Sequence, residues 1–280
     1  MTDSNTSDKL CPSYADHLCF SWPLRDEAVC PVNGEEARCP LKSATTVATA
    51  DLIIRSATEF YNQLRNDKNG RYRSWEHCYG HFMNARRQPD PDADYLSLQL
   101  AFYLASWGMY RGSSFLLQKD YRVHIPVVKE LLNPRYDPLA GIECVEYRKP
   151  GTQKLLEEIN AFLENYYNEI RLQVKEETPK VKLSDTLITK VLMGTLGCVP
   201  AYDRYFIMGL KDQKVSTGLY NMRSLLKLVD FYEENKEQLE AVRNGLKVNG
   251  MPYPQMKMLD MGFWQIGFEL DTEKGLQIAH

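Results

Sequence analysis

Arg111 and the three residues after it could bind an anion. The guanidinium, the Gly112 amide and the hydroxyls of Ser113 and Ser114 are the groups with which a helix start holds a phosphate or a carboxylate. Serine is also a routine N-cap residue, so local capping of the next helix explains the same segment. The sequence leaves both interpretations open.

Two aromatic residues, Trp107 and Tyr110, lie just before this arginine. An aromatic face beside an arginine suits a planar base. We therefore take Trp107, Tyr110, Arg111 and Ser113 as candidate contacts to a substrate that contains a base.

An amine and a carboxylate lie on two predicted helices joined by a tight turn. The first helix begins at a cap, Ser184 or Asp185, and carries Lys190. The segment Gly197–Pro200 makes the turn, and Asp203 opens the second helix. There the exposed amides and the helix macrodipole stabilise a carboxylate. A helix-capping Asp203 with a solvent-exposed Lys190 is the purely structural interpretation.

This segment, residues 183–210, resembles the catalytic core of the helix-hairpin-helix DNA glycosylases, in which a short proline-containing loop leads to an aspartate at a helix start. The resemblance implies that Asp203 stabilises positive charge on the sugar or activates water, and that Lys190 is an amine nucleophile. Its neighbours Tyr202 and Arg204 are candidate substrate contacts. Residues 182–186 contain no glycine, so the resemblance does not extend to the glycine-rich hairpin that holds a DNA phosphate in those enzymes.

A histidine pair is the third group with chemical potential. His77 and His81 are four residues apart on a predicted helix, hence on one face, with Glu76 and Cys78 adjacent. Two imidazoles at this spacing could bind a divalent metal if a third ligand came from elsewhere. Arg71 followed by His77 also resembles the arginine-and-histidine signature of the HEPN ribonucleases, which makes His77 a candidate substrate contact. The alternative is that both histidines form hydrogen bonds at a packed helix surface.

Four cysteines lie near the N-terminus in a proline-punctuated segment: Cys11, Cys19, Cys30 and Cys39. Metal ligation can replace a core in a segment too small to fold by itself, so zinc or an iron–sulfur cluster is the candidate cofactor. No Cys-x-x-Cys pair is present. The alternative is that these cysteines pack as small hydrophobic residues against the main domain.

Composition narrows the class of protein. The net charge of -3 argues against a dedicated nucleic-acid binder, although a local basic groove is compatible with it. No apolar run reaches the length of a membrane span, and the polar start lacks the features of a signal peptide. We expect a cytoplasmic protein that does not enter a membrane. Motifs for nucleotide hydrolysis, dinucleotide binding and serine hydrolysis are absent from the sequence.

The elements that must position these residues are helices. Apolar residues recur at helical spacing through most of the chain after residue 45, and alternating β patterns are scarce. The predicted helices cover 49–65, 72–83, 95–107, 115–119, 123–132, 152–174, 184–196, 201–210, 219–243 and 254–270. The helix over 95–107 is apolar on every side, which predicts a place at the centre of a bundle.

The sequence thus predicts an all-α protein: a single orthogonal helical bundle over residues 46–280, preceded by an irregular cysteine-bearing arm over residues 1–45. The leading functional hypothesis is a nucleic-acid-processing hydrolase of DNA-glycosylase-like architecture that excises or recognises a modified base. Two alternatives remain open. One is a non-catalytic helical scaffold that binds a protein partner or an anionic ligand, and the other is a HEPN-like ribonuclease.

Overall fold

The structure, a computed structural model, describes residues 49–174 and 183–278, with side chains up to residue 272. Within these ranges the regular secondary structure is helical apart from one two-stranded hairpin, so the all-α prediction is confirmed. Residues Ala48–His280 form one compact unit. No helix in the described part combines the length and apolar character that a membrane span requires. The predicted arm over residues 1–45 and its cysteines lie outside the described residues.

Side-chain caps account for the starts of two of the first three helices. Helix α1 (Ala50–Asn66) begins at Thr49, whose side chain accepts a hydrogen bond from an amide in the first turn. A 3₁₀ turn (Arg71–Arg73) leads into α2 (Ser74–Ala85). Helix α3 (Ala93–Ser106) is capped by the side chain of an aspartate at its start.

Short helical segments connect the middle of the fold. Helix α4 (Ile125–Leu131) follows the 3₁₀ segments Phe115–Gln118 and Tyr121–His124, and the long helix α5 is Pro150–Val174. Two further 3₁₀ segments, Pro134–Leu139 and Cys144–Arg148, occupy the connection before α5. Prolines within and beside these turns keep them from extending into α-helices.

Helices α6 (Asp185–Thr195) and α7 (Arg204–Asp212) match the predicted helical hairpin. The single helix predicted over 219–243 is instead two, α8 (Met222–Glu234) and α9 (Lys236–Arg243), and that prediction is wrong. The break lies at Asn235, whose side-chain amide donates to the carbonyl of Phe231 at 2.8 Å. An asparagine side chain competes in this way with the backbone and ends the helix.

The sequence analysis did not predict the β hairpin. Strands β1 (Lys247–Val248) and β2 (Met251–Pro252) are antiparallel and joined by Asn249 and Gly250, which have φ angles of 48° and 78°. Two consecutive positive φ angles define the hairpin turn for which Asn-Gly is the preferred sequence. Gly80 of α2 leaves room for Asn249, because a Cβ there would lie 2.5 Å from the side-chain nitrogen of Asn249.

Helix α10 (Gln255–Ile278) passes through the core. Its first thirteen residues, 255–267, are all buried, and it packs against α1 and α7. A Cβ on Gly267 would overlap the carbonyl oxygen of Tyr205, and a Cβ on Gly209 would overlap that of Phe263. The two glycines therefore allow the backbones of α7 and α10 to touch.

Helix α3 is not buried on every side. Leu98 is 47% exposed and Phe102 is 58% exposed, so the prediction of a fully central helix is wrong. The helix packs against α2, α4 and α6 and leaves one apolar face uncovered by the described residues.

We expect Gly267→Ala to destabilise the fold by about 3 kcal/mol, because the new methyl group forces α7 away from α10. Denaturant unfolding monitored by circular dichroism gives the free energy. The matched control is Gly151→Ala at the start of α5, where a Cβ meets nothing within 4 Å. That variant should be as stable as the wild type or up to about 1 kcal/mol more stable. Equal stability of the two variants would contradict the close helix contact.

Candidate functional site

Lys190 and Asp203 form a buried ion pair. The Nζ atom of Lys190 lies 3.2 Å from Oδ2 of Asp203, and the two side chains are 4% and 13% exposed. Lys190 also donates a hydrogen bond to the carbonyl of Trp107 at 2.9 Å. The hairpin resemblance thus paired two residues that do contact each other, but the interpretation of Lys190 as solvent-exposed is wrong.

Asp203 caps α7 as its sequence position indicates. Its Oδ1 atom accepts from the amides of Tyr205 and Phe206, both at 3.1 Å. The carboxylate therefore uses one oxygen for the helix start and the other for Lys190. The Asp203 side chain remains 13% exposed.

The loop between α6 and α7 is tied back to α6. Gly197, with φ of 65°, makes the turn after α6. The hydroxyl of Thr189 accepts from the amide of Tyr202 at 2.9 Å, and the hydroxyl of Thr186 donates to the carbonyl of Tyr202 at 2.8 Å. These bonds hold the residue next to Asp203 against the helix that carries Lys190.

A second buried ion pair supports the same loop from α10. Lys257 and Asp260 are 2.7 Å apart, with side chains 3% and 4% exposed. The other oxygen of Asp260 accepts from the amide of Ala201 at 2.9 Å. The sequence analysis did not predict this pair.

Burial shifts the pKa values of Lys190 and Asp260 in these ion pairs. Desolvation lowers the pKa of Lys190, and the charge of Asp203 opposes that shift. Desolvation raises the pKa of Asp260, opposed by Lys257. Buried ion pairs contribute little net stability because desolvation offsets the attraction. Groups with perturbed pKa values cluster at functional sites, and structural ion pairs perturb pKa values as well.

Four aromatic residues, which we call the aromatic wall, lie beside the ion pairs: Tyr72, Trp107, Tyr205 and Trp264. Ring centroids are 4.8 Å apart for Tyr72 and Trp107, 6.0 Å for Trp107 and Trp264, and 5.2 Å for Tyr205 and Trp264. Lys190 and Lys257 lie 5.3 and 5.4 Å from the centroid of Trp107. The indole N–H groups of Trp107 and Trp264 have no hydrogen-bond partner among the described residues. Of the wall, only Trp107 was a predicted site residue.

Other predicted contacts have separate local roles. Arg111 is exposed and close enough to Lys190 to lower the pKa of its amine slightly. Ser113 is exposed, while Ser114 caps the 3₁₀ segment that begins at Phe115 rather than an α-helix. Arg204 is exposed and forms an ion pair with Asp271. Arg111 lies near the site, and the binding roles of these residues remain predictions.

Tyr110 and Tyr202 use their hydroxyls inside the protein. Tyr110 bonds to Nε2 of the buried His124 at 2.7 Å, and Nδ1 of that imidazole bonds to Tyr167 at 2.7 Å. Tyr202 is 1% exposed and bonds to Ser224 at 3.2 Å. Neither hydroxyl faces solvent, so the structure gives no support for a substrate contact by either.

The two histidines of α2 have different surroundings. His77 is exposed in the first turn, and His81 bonds to the hydroxyl of Tyr95 at 3.2 Å. The guanidinium of Arg71 packs on Tyr72, 4.6 Å from the ring centroid. The HEPN-like arrangement of Arg71 and His77 therefore stays a hypothesis.

The described residues hold no group of three or more His, Cys, Asp or Glu side chains arranged for a metal ion. Within that part of the chain, His77 and His81 therefore lack the third ligand that a metal would need. Cys78, Cys144 and Cys198 are buried thiols, and burial raises the pKa of Cys198 to about 12. The zinc or iron–sulfur prediction for the arm cysteines lies outside the described residues.

Comparison of the chain with protein-family models, with curated proteins and with solved structures found no match.

His124 makes the stability of the fold depend on pH. Burial lowers its pKa from 6.5 to about 3. The unfolded chain binds the proton first, so this contribution to stability is complete above pH 6.5 and is lost as the pH falls towards 3, at about 1.4 kcal/mol per pH unit.

His124→Phe removes this titration. We expect the free energy of unfolding of the variant to fall less steeply than that of the wild type between pH 6 and 4, by about 1.4 kcal/mol per unit. Urea unfolding at several pH values measures both slopes. Parallel slopes would show that His124 titrates normally in the folded protein.

Proposed function

We propose that the protein acts on nucleic acid and excises or recognises a modified base at the edge where Asp203 meets the aromatic wall. The observation that carries this proposal is the Lys190–Asp203 pair, with its amine and carboxylate 3.2 Å apart beside partly exposed aromatic rings. A carboxylate and an amine adjacent to aromatic faces are the groups that base excision uses.

The aromatic wall supplies the recognition step. A base turned out of its stack is held by aromatic faces and by hydrogen bonds to its edge. Tyr72, Trp107 and Tyr205 are partly exposed. The indole N–H groups of Trp107 and Trp264 are unpartnered but buried, so in this conformation the wall offers a base its ring faces rather than these donors.

Asp203 supplies the chemical step. Cleavage of an N-glycosidic bond leaves positive charge on the sugar, and an adjacent carboxylate stabilises it. Asp203 is held in one orientation by two amides and by Lys190. This preorganisation means that little reorientation is needed when charge develops.

Two nucleophiles remain open for the reaction: water activated by Asp203, or the amine of Lys190. The lowered pKa of Lys190 favours an amine that can react. Its 4% exposure and its bond to the Trp107 carbonyl favour a positioning role instead. We favour water, with Lys190 orienting Asp203.

A non-catalytic scaffold is the second candidate function. Both oxygens of Asp203 have partners within the protein, which a purely structural carboxylate would also show. Leu98 and Phe102 expose an apolar face on α3 that suits a protein partner.

Asp203→Asn should lower base excision by a factor on the order of 10²–10³, because the amide carries no charge to stabilise the sugar cation. Excision is measured on a panel of duplexes that each contain one damaged or modified base. The matched control is Asp212→Asn, a carboxylate at the other end of α7, which should leave excision unchanged. Unfolding temperatures of both variants separate lost chemistry from the lost helix cap. Undiminished excision by Asp203→Asn would remove this residue from the mechanism and favour the scaffold.

Borohydride trapping distinguishes the two nucleophiles. Attack by an amine on the sugar gives an imine that borohydride reduces to a stable protein–DNA adduct, whereas attack by water gives none. We expect excision without an adduct. An adduct that forms with wild type and with Lys211→Met, but not with Lys190→Met, would assign the amine route to Lys190.

A further inference from the structure

A small basic pocket lies where α1, α2 and the β hairpin meet. Its volume is about 70 Å³, which suits one small polyatomic ion and is too small for an aromatic base. The pocket contains His77, which the aromatic site does not use. The lining residues are Arg65, Arg73, Glu76, His77, Lys247, Val248 and Asn249.

The carboxylate in this pocket is already neutralised. Oε1 of Glu76 accepts from Arg65 and from the hydroxyl of Tyr253, both at 2.5 Å. Its Oε2 lies 3.3 Å from Nε of Arg73. One buried negative charge is therefore shared between two guanidinium groups, which leaves the pocket with an excess of positive charge.

Two of the cations retain unused donors. The Nε atom of Arg73 faces Glu76 in the 3.3 Å ion pair, whereas its two terminal nitrogens form no hydrogen bond within the described residues. The amine of Lys247 is exposed and has neither an ion-pair nor a hydrogen-bond partner among residues 49–174 and 183–278. An oxyanion in the pocket would accept charge-assisted hydrogen bonds from these nitrogens.

We propose that this pocket binds a phosphate group. Two arginines and a lysine around a small cavity match a tetrahedral oxyanion with several acceptor oxygens. Because the pocket also borders the first turn of α2, the positive end of that helix adds to the attraction. His77 contributes a further ring nitrogen from the same turn.

The pocket and the aromatic wall are joined by adjacent residues, because Tyr72 belongs to the wall and Arg73 to the pocket. A polynucleotide could therefore supply both the base and the phosphate. A small phosphorylated molecule could supply the phosphate alone. The proposal concerns the phosphate group itself and holds for either source, whether or not base excision occurs.

The test measures binding of inorganic phosphate and of a single-stranded DNA oligonucleotide to the full chain by calorimetry at low salt. Lys247→Glu reverses one pocket charge at an exposed position, so the fold should be retained. Lys227→Glu on α8 makes the same change in net charge at an exposed position outside the pocket and is the matched control. Thermal unfolding of both variants confirms that they fold.

We expect Lys247→Glu to weaken phosphate binding by tenfold or more, and Lys227→Glu to change it by less than about twofold. If the oligonucleotide competes with phosphate, the source of the bound phosphate group is a polynucleotide. If phosphate binds and the oligonucleotide does not compete with it, the source is a small molecule. No phosphate binding by the wild type, or equal weakening by the two variants, overturns the proposal. Base excision is scored separately, so its failure is distinguishable from this one.

Discussion

Two ammonium–carboxylate pairs must be kept neutral inside a helical core, and much of the structure follows from that constraint. A buried ion that loses its partner destabilises a protein by several kcal/mol, so each amine has to remain beside its carboxylate. Lys257 and Asp260 meet this condition within one helix. Lys190 and Asp203 meet it only if the loop between α6 and α7 follows one path. Asp260 holds that path through the amide of Ala201.

The crossing of α7 and α10 is the geometric counterpart of this electrostatic constraint. Helix α7, which begins directly after Asp203, lies close to α10 because Gly209 and Gly267 carry no side chain. A larger residue at either position would separate the backbones. The position of the carboxylate therefore depends on packing further along α7, at residues with no chemistry of their own.

The chain carries a net negative charge, yet the features proposed for ligand binding are locally basic and aromatic. Tyr72 and Arg73 are consecutive in one 3₁₀ turn and belong to the aromatic wall and to the basic pocket respectively. Nucleic-acid binding depends on such local arrangement rather than on total charge.

Local patterns in the sequence were enough to predict the helical class, the bounds of most helices to within a few residues and the role of Asp203 as a helix cap. Those features depend on capping residues and on apolar spacing, which act within a few residues of chain. The Asn249–Gly250 turn and the helix end at Asn235 also depend on local signals, but neither was predicted.

The burial of Lys190 was decided only by the tertiary structure, as was the exposed face of α3. A lysine is expected at the surface unless a partner compensates its charge, and its partners Asp203 and the Trp107 carbonyl lie 13 and 83 residues away. The aromatic wall likewise joins residues from four separate segments. Periodicity shows that a side chain is apolar or polar, but which distant group it meets is determined by how the helices pack.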